Sequence, residues 1–545
     1  MINFRRIEKS FHPTEDGKCA SAAGGMVATA FPEATAAGVE MLRRGGNAID
    51  AACAAAFALG ICEPQASGLG GQTMALLHLK NKTVAVDGSS RAPSLAHSSA
   101  FDKSTLRTGY RATTVPSTPA VLSYMNFHYG NLEWSEILEP AVEIAEKGYR
   151  ITELQSSLQE RELERFAEVP SLSGARYFLK DGKHPHKPGD LFIQKDGAAL
   201  LRKLAQRGVK NFYLGDTAQR IDADMRENGG LLRYEDLALI PWPIERKVLK
   251  RKYRGLTVAA MPPPGAGRTL LFVLGMLEHI QPKLLTEKSL RSYHLLAEVF
   301  RKAFRERTER PYDPNFYSQV RKKKMLLKSY ARDLVSSIAE EVDPQMPIIQ
   351  TADETLGNDT THLSVMDGHG NAVSLTQSIE RVYGSHAAAE GLGFLFNNYM
   401  MDYEFEDPTH PYFLRPNAVP WATVSPTIIF HKNEPWMALG SPGSERIFST
   451  IAQFLVHIVD DWADMGEAMY RPRFHCSLGG RISLEADRFP PGIIEGLAEK
   501  KYRIDKREPF AFYLGAVHAV LKRHDGKGFQ GVAEVRRDGT AGGLD

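Results

Sequence analysis

Residues 359–378 read Asp-Thr-Thr-His-Leu-Ser-Val-Met-Asp-Gly-His-Gly-Asn-Ala-Val-Ser-Leu-Thr-Gln-Ser. Thr361–Met366 alternates as a strand, Asp367–Asn371 is turn chemistry, and Ala372–Thr376 alternates again, which predicts a hairpin. Ahead of it, residues 310–359 are polar and charged, with Arg321-Lys-Lys-Lys324, Glu340-Glu341 and a polar run over Thr351–Asp359. That stretch reads as an exposed linker, the kind of segment where chains are cut. A Thr-Thr pair at a strand start is commonly a β-propensity choice. At a linker junction it gains a second meaning. A threonine that heads a chain carries its own base, an α-amino group of pKa about 7.7–8.0, and needs no second side chain to activate its hydroxyl.

Downstream, a second hairpin is predicted from Thr427–Phe430 and Trp436–Leu439 about the turn Lys432–Pro435. The loop Gly440-Ser-Pro-Gly-Ser444 then opens an amphipathic helix predicted over Glu445–Asp460. Unpaired N–H groups at a helix start favour developing negative charge, so this loop is a candidate oxyanion hole. One such donor is worth about 3 kcal/mol of barrier. Upstream, Pro32–Arg44 reads as a helix ended by Gly45-Gly46, and Asn47 caps a helix over Ala48–Ile61 that is apolar nearly all round, hence buried. Strands are predicted at Ala20–Phe31, Met74–Leu79, Thr83–Asp87 and Arg254–Met261, with helices at Pro119–His128 (Thr118 as cap), Trp134–Lys147, Glu153–Phe166, Gly197–Arg207 and Asp216–Asn228. A further helix, Tyr293–Arg307, lines up Leu296, Phe300 and Phe304 and places most of its arginines and lysines on a solvated face.

The 545 residues hold 43% hydrophobic and 24% charged side chains, as in folded globular proteins, which excludes a disordered chain, a collagen or a coiled coil. Lys+Arg 67 balances Asp+Glu 65, so charge implies neither nucleic acid nor an anionic membrane as partner. No apolar run reaches the roughly 18 residues of a spanning helix. No apolar segment follows the charged first residues, and Cys19, Cys53, Cys62 and Cys476 are too sparse for a disulfide framework, so a reducing cytoplasm is expected. The phosphate-loop, zincin and nucleophile-elbow patterns are absent, and Ser67-Gly-Leu-Gly-Gly71 lacks dinucleotide spacing. His184-Pro-His186 reads as surface histidines. No cofactor and no metal is expected.

These features occur together with others in one order: Gly25-Met-Val-Ala-Thr-Ala30, Gly45-Gly-Asn-Ala-Ile-Asp-Ala-Ala52, Glu63-Pro64, Gly229-Gly-Leu231, Met261-Pro-Pro-Pro264, Asn397-Asn398, Ser425-Pro-Thr427 and Pro472-Arg-Phe474. Over nearly its whole length the chain resembles the γ-glutamyltranspeptidases of the N-terminal nucleophile (Ntn) hydrolases. The resemblance implies an α+β, four-layer αββα sandwich built from one precursor. It implies autocleavage between Asp359 and Thr360 into a large part, 1–359, and a small part, 360–545. Thr360 would then attack a small-molecule amide, Gly443 and Ser444 would supply oxyanion N–H groups, and Thr361 and Ser378 would assist processing and orientation. The acyl group would pass to water or to an amine. Higher oligomers stay open.

The departures concern recognition. The family's carboxylate-holding arginine falls at Ser89, with Arg91 two residues on. Its paired serines fall at Ala422-Thr423, an amino-binding Asn at Glu380 and a Gln at Tyr399, whereas Asp402 matches. The acyl group is therefore γ-glutamyl or another small acyl amide, as in the oxamate-hydrolase-like and cephalosporin-acylase-like branches. The competing expectation is an uncut, non-catalytic homologue.

Overall fold

The computed structural model describes residues 2–97, 106–309, 323–338 and 360–545. Two seven-stranded sheets organise it. Their strands are β1 (Cys19–Ala22), β2 (Gly25–Thr29), β3 (Gln72–Leu79), β4 (Lys82–Gly88), β5 (Ile244–Arg246), β6 (Leu249–Tyr253), β7 (Leu256–Ala260), β8 (Thr361–Asp367), β9 (Ala372–Ser378), β10 (Thr427–His431), β11 (Glu434–Gly440), β12 (His518–Lys522), β13 (Phe529–Val532) and β14 (Thr540–Leu544). One sheet runs β14-β2-β8-β9-β3-β4-β5 and the other β1-β13-β12-β11-β10-β7-β6. Every neighbouring pair in both is antiparallel.

The period of two along each strand builds the layers. Leu76, Met366, Ile428, Ala438 and Val520 fill the space between the sheets. Their neighbours in the chain point outward. Leu77, Val365 and Leu375 pack under α1 (Pro32–Arg43), α2 (Ala48–Cys62), α3 (Trp134–Lys147) and α4 (Lys195–Arg207). Ile429, Met437 and Leu521 pack under α5 (Gly267–Leu277), α6 (Leu290–Glu309) and α7 (Ile447–Leu455). The result is helices, sheet, sheet, helices, the expected αββα order. Helix α2 is buried along nearly its whole length, as its all-apolar surface requires, and Asn47 caps it by accepting from the Ile49 and Asp50 amides.

Several local expectations are corrected. Ala20–Phe31 is two strands, β1 and β2, in different sheets. The 118–129 helix begins at Thr118 after Ser117, and the Thr118 hydroxyl meets Thr73 instead of capping. The helix expected over Glu445–Asp460 is a tight turn at Ser444–Arg446, then α7, then a widened π turn at Val456–Asp460. In α6, Arg301 and Arg307 are buried, not solvated; Arg301 pairs with buried Glu298 at 2.6 Å. Within the expected linker, Lys328–Ser336 is helical and buries Ala331. Residues 310–322 and 339–359 of that stretch, including Asp359, lie outside the described residues.

Two buried histidines tie this core to pH. Burial, reinforced for His475 by Arg446, pushes His475 and His518 down to about 3. The unfolded chain takes up these protons near pH 6.5 and the folded chain does not, so stability is lost as pH falls from 6.5 towards 3. A urea midpoint measured at pH 7 and pH 4 is expected to drop by an amount equivalent to roughly 1–3 kcal/mol per histidine. An unchanged midpoint would show that these rings are protonated at no cost.

Candidate active site

Thr360 immediately precedes β8 and is 3% exposed. Extending the β8–β9 register places it opposite Ser378. Its hydroxyl donates to the Ser378 hydroxyl at 3.1 Å, and the Glu380 amide donates to the same oxygen at 2.8 Å. Glu380 reaches that position with φ of +82°, a strained value for a residue with a side chain. Thr361 is one residue along and faces the other way. Its cross-strand partner Gln377 donates to the Ala56 carbonyl of α2, and the Thr361 hydroxyl is buried with no hydrogen-bond partner. The structure therefore brings Ser378 to Thr360 and leaves Thr361 on the helix side.

Two residues further, His362 is on the Thr360 face. Its ring nitrogens meet Thr376 Oγ1 at 2.9 Å and Ser364 Oγ at 3.0 Å, and burial holds it well below its usual pKa. The ring lies against Gly440, where a Cβ would come within 2.3–2.7 Å of its atoms. Glycine is needed there for contact. The 440–444 loop thus leaves the second sheet directly over the residue two positions from Thr360. Gly443 and Ser444 then take φ of +122° and +51°. The loop is braced from behind: Ser441 Oγ accepts from the Ala516 amide at 2.9 Å, and Thr450 Oγ1 donates to the Leu514 carbonyl at 2.9 Å.

The Tyr399 hydroxyl reaches the Ser378 carbonyl at 3.5 Å. Burial, and then the charges of Glu380 and Asp402, hold its pKa well above the usual value. Asn397 fastens the neighbourhood by accepting from Thr114 and the Tyr399 amide and donating to the Gly70 and Thr114 carbonyls. Ser89 is committed elsewhere, donating to Asp87 at 2.5 Å, and Asp87 holds Arg246 at 2.7 Å. Arg91 turns to Asn417 at 3.2 Å. Asp402 acts through its charge on Tyr399, Arg381 and Arg307. The Ala422 carbonyl accepts from Arg307, and half-buried Thr423 follows it. Arg307 and buried Arg381 escaped the sequence reading. Neither occurs in a recognisable motif, and only the fold reveals that their charges are withdrawn from water. No group of three His, Cys, Asp or Glu side chains among the described residues could hold a metal ion. No described helix is long and apolar enough to cross a membrane.

Two antiparallel sheets between helical layers, with a threonine leading a central strand beneath a glycine loop, define the Ntn-hydrolase class of enzyme. The gamma-glutamyltranspeptidase family model matches residues 34–544, and the chain belongs to that family. It is 31% identical to the glutathione hydrolase proenzyme of Escherichia coli strain K12 over 569 residues, covering 99% of this chain and 94% of that one. It is 31% identical to the acylase ACY 1 proenzyme of Pseudomonas sp. strain V22, covering 97% and 96%. Among solved structures, cephalosporin acylase from Bacillus halodurans matches with a TM-score of 0.88 and 26% identity, over 98% of each chain. Helicobacter pylori gamma-glutamyltranspeptidase matches at 0.54 with 35% identity, over 59% of this chain and 96% of that one.

Proposed function

We propose that Thr360 is a self-freed nucleophile that hydrolyses or transfers the acyl group of a small amide. Thr360 Oγ attacks the Asp359 carbonyl, the C–N bond breaks, and the hydroxyl proton passes to the departing nitrogen. Water cleaves the resulting ester, which frees 1–359 from 360–545. The new α-amine then takes the Thr360 hydroxyl proton as Oγ attacks a substrate amide. The Gly443 and Ser444 amides face the developing oxyanion, and the amine leaves with the proton. Water or a second amine accepts the acyl group. The observation that carries this reading is the Thr360–Ser378 hydroxyl pair at the head of β8, on the face over which the 440–444 loop begins. The four buried free thiols suit a reducing, cytoplasmic setting.

Mass spectrometry of the purified protein, with and without a trapped acyl group, tests the scheme by reporting cut site, nucleophile and acyl identity. An uncut, unacylated chain would favour the non-catalytic homologue. The commitment of Ser89 to Asp87 favours a second reading, an acyl group other than γ-glutamyl. Turnover confined to non-γ-glutamyl amides would establish it.

Ser378 and Thr361 separate by their opposite faces. Ser378→Ala is expected to slow cutting and turnover about 100-fold or more, because the Thr360 hydroxyl loses its positioning partner. Thr361→Val removes a hydroxyl that bonds to nothing and is expected to fold as well as the parent or better, with little change in cutting. Gel time courses of the two variants check both, and equal impairment would show that Thr361 acts at the nucleophile after all.

A further inference from the structure

Outside the second sheet, in the helical layer of α6 and α7, lies a cavity of about 370 Å³. Small-molecule sites span roughly 300–1,000 Å³. This one is separate from the reactive centre, because none of the residues placed around Thr360 lines it. One wall is aromatic. The Tyr293 ring of α6 stands 5.0 Å from that of Phe489 and 5.8 Å from that of Phe474 between centroids, and the two phenylalanines meet edge-on at 6.3 Å. Such a wall suits a flat apolar body.

The polar wall is built round His457, in the widened π turn that follows α7. Single π turns of this kind recur at functional sites. Burial, and then the charge of Arg471, hold the ring well below its usual pKa, so it is neutral. A terminal nitrogen of Arg471 donates to its Nδ1 at 3.1 Å. That bond assigns the proton to Nε2, which has no partner among the described residues. Arg471 lines the cavity too. Its other terminal nitrogen is spent on Asp461 at 2.6 Å and Glu467 at 2.7 Å, whereas its Nε is buried with no hydrogen-bond partner. Exposed Lys288, held at φ of +53°, stands at the rim and forms no ion pair among the described residues. The charges that act on the His457 ring, those of Arg471, Arg473 and Lys288, are all positive. Of the other charged lining residues, Arg488 is paired with Glu485 at 2.6 Å and Asp487 is exposed. Two unspent donors in a positive field, beside a wall of rings, fit an anion on a flat apolar body.

We propose that this cavity is a second binding site, for an aromatic monocarboxylate. The ring of the ligand lies on the Tyr293, Phe474 and Phe489 wall, and its carboxylate accepts from His457 Nε2 and Arg471 Nε. Lys288 adds attraction at the mouth. The site does not depend on the Thr360 reading.

Titration calorimetry of the purified protein with phenylacetate tests it, with phenylacetamide as the uncharged counterpart and acetate as the acid without a ring. Phenylacetate is expected to bind with a Kd of about 1 mM or below, which about ten non-hydrogen atoms can support. Phenylacetamide is expected to bind at least about tenfold more weakly, since the charge-assisted contacts become neutral ones. Acetate is expected to give no binding heat at the same concentrations. His457→Phe keeps a ring and removes the donor, and is expected to weaken phenylacetate binding at least about tenfold. Lys288→Gln, at an exposed and unpaired position, is expected to weaken it about threefold. A cooperative melting transition reports that each variant has folded. If His457→Phe does not fold, Lys288→Gln and the amide decide. A parent that does not bind phenylacetate, an amide that binds as tightly as the acid, or folded variants that bind phenylacetate as the parent does overturns the proposal.

Discussion

A Thr360→Ala chain is expected to run on a denaturing gel as one 60.5 kDa band. For the parent, that mass shared between 359 and 186 residues gives bands of about 40 and about 20 kDa. The argument is atomic. Without Oγ there is no ester, without the ester no cut, and without the cut no α-amine beside the strand. Alanine keeps the Cβ, so β8 retains its packing, and the loss of one hydrogen bond to Ser378 costs about 1 kcal/mol. The variant is therefore a folded, uncut protein. Its amide turnover should fall at least about 10,000-fold, since nucleophile and base disappear together. Thr360→Ser keeps both and should still cut. An uncut variant that continued to hydrolyse amides would remove the basis for every catalytic assignment made above.

Glu534→Gln is expected to be the most damaging substitution away from the nucleophile. Glu534 is fully buried between two arginines, 2.5 Å from Arg473 and 2.8 Å from Arg536, and it also accepts from the Val517 amide at 2.7 Å. Although burial opposes its charge, Arg473 and then Arg536 pull its pKa down to about 2. Neutralising it leaves Arg473 without a carboxylate, at a cost of about 3–5 kcal/mol. The damage should extend to function. Val517 continues from Leu514–Ala516, the segment that braces the 440–444 loop, so cutting should slow as well. The sign with pH is fixed: a depressed carboxylate stabilises above its unfolded pKa of about 4.5 and loses that contribution as pH falls towards 2. The gap between parent and variant in denaturant midpoint should be full at pH 7 and shrink below pH 4.5. Equal midpoints at pH 7 would show that the ionic cluster contributes nothing.

What could be read in the sequence was what repeats with a period or breaks with a turn. The 361–376 hairpin alternates cleanly, α2 is apolar on all sides, and Gly440–Ser444 punctuates a strand and a helix. The αββα layering followed from resemblance and is visible in the strands as side chains alternating between two cores. What could not be read depends on neighbours distant in sequence. Thr360 and Thr361 are chemically equal on paper, and only pairing with Gln377 and Ser378 gives them opposite faces. Arg91 stands two residues from the family's arginine position, and only the fold shows that it turns to Asn417. Arg307 looked like one more solvated charge, because helical periodicity assigns a face but not what covers it. Ala20–Phe31 passed for one strand because nothing in its composition marks the step from one sheet to the other.

The strand order carries a mechanical lesson. In one sheet, β8 and β9 from beyond residue 360 lie between β2 and β3 from before residue 310, and β14 then closes on the outer side of β2. The other sheet has β1 at one edge and β7-β6 at the opposite edge, with β10–β13 clasped in the middle. Severing the backbone ahead of Thr360 would thus create a fresh terminus without creating a separable piece. Like interlaced fingers, the two lengths could be drawn apart only by stripping both sheets at once, so the scission can be permanent while the architecture stays whole.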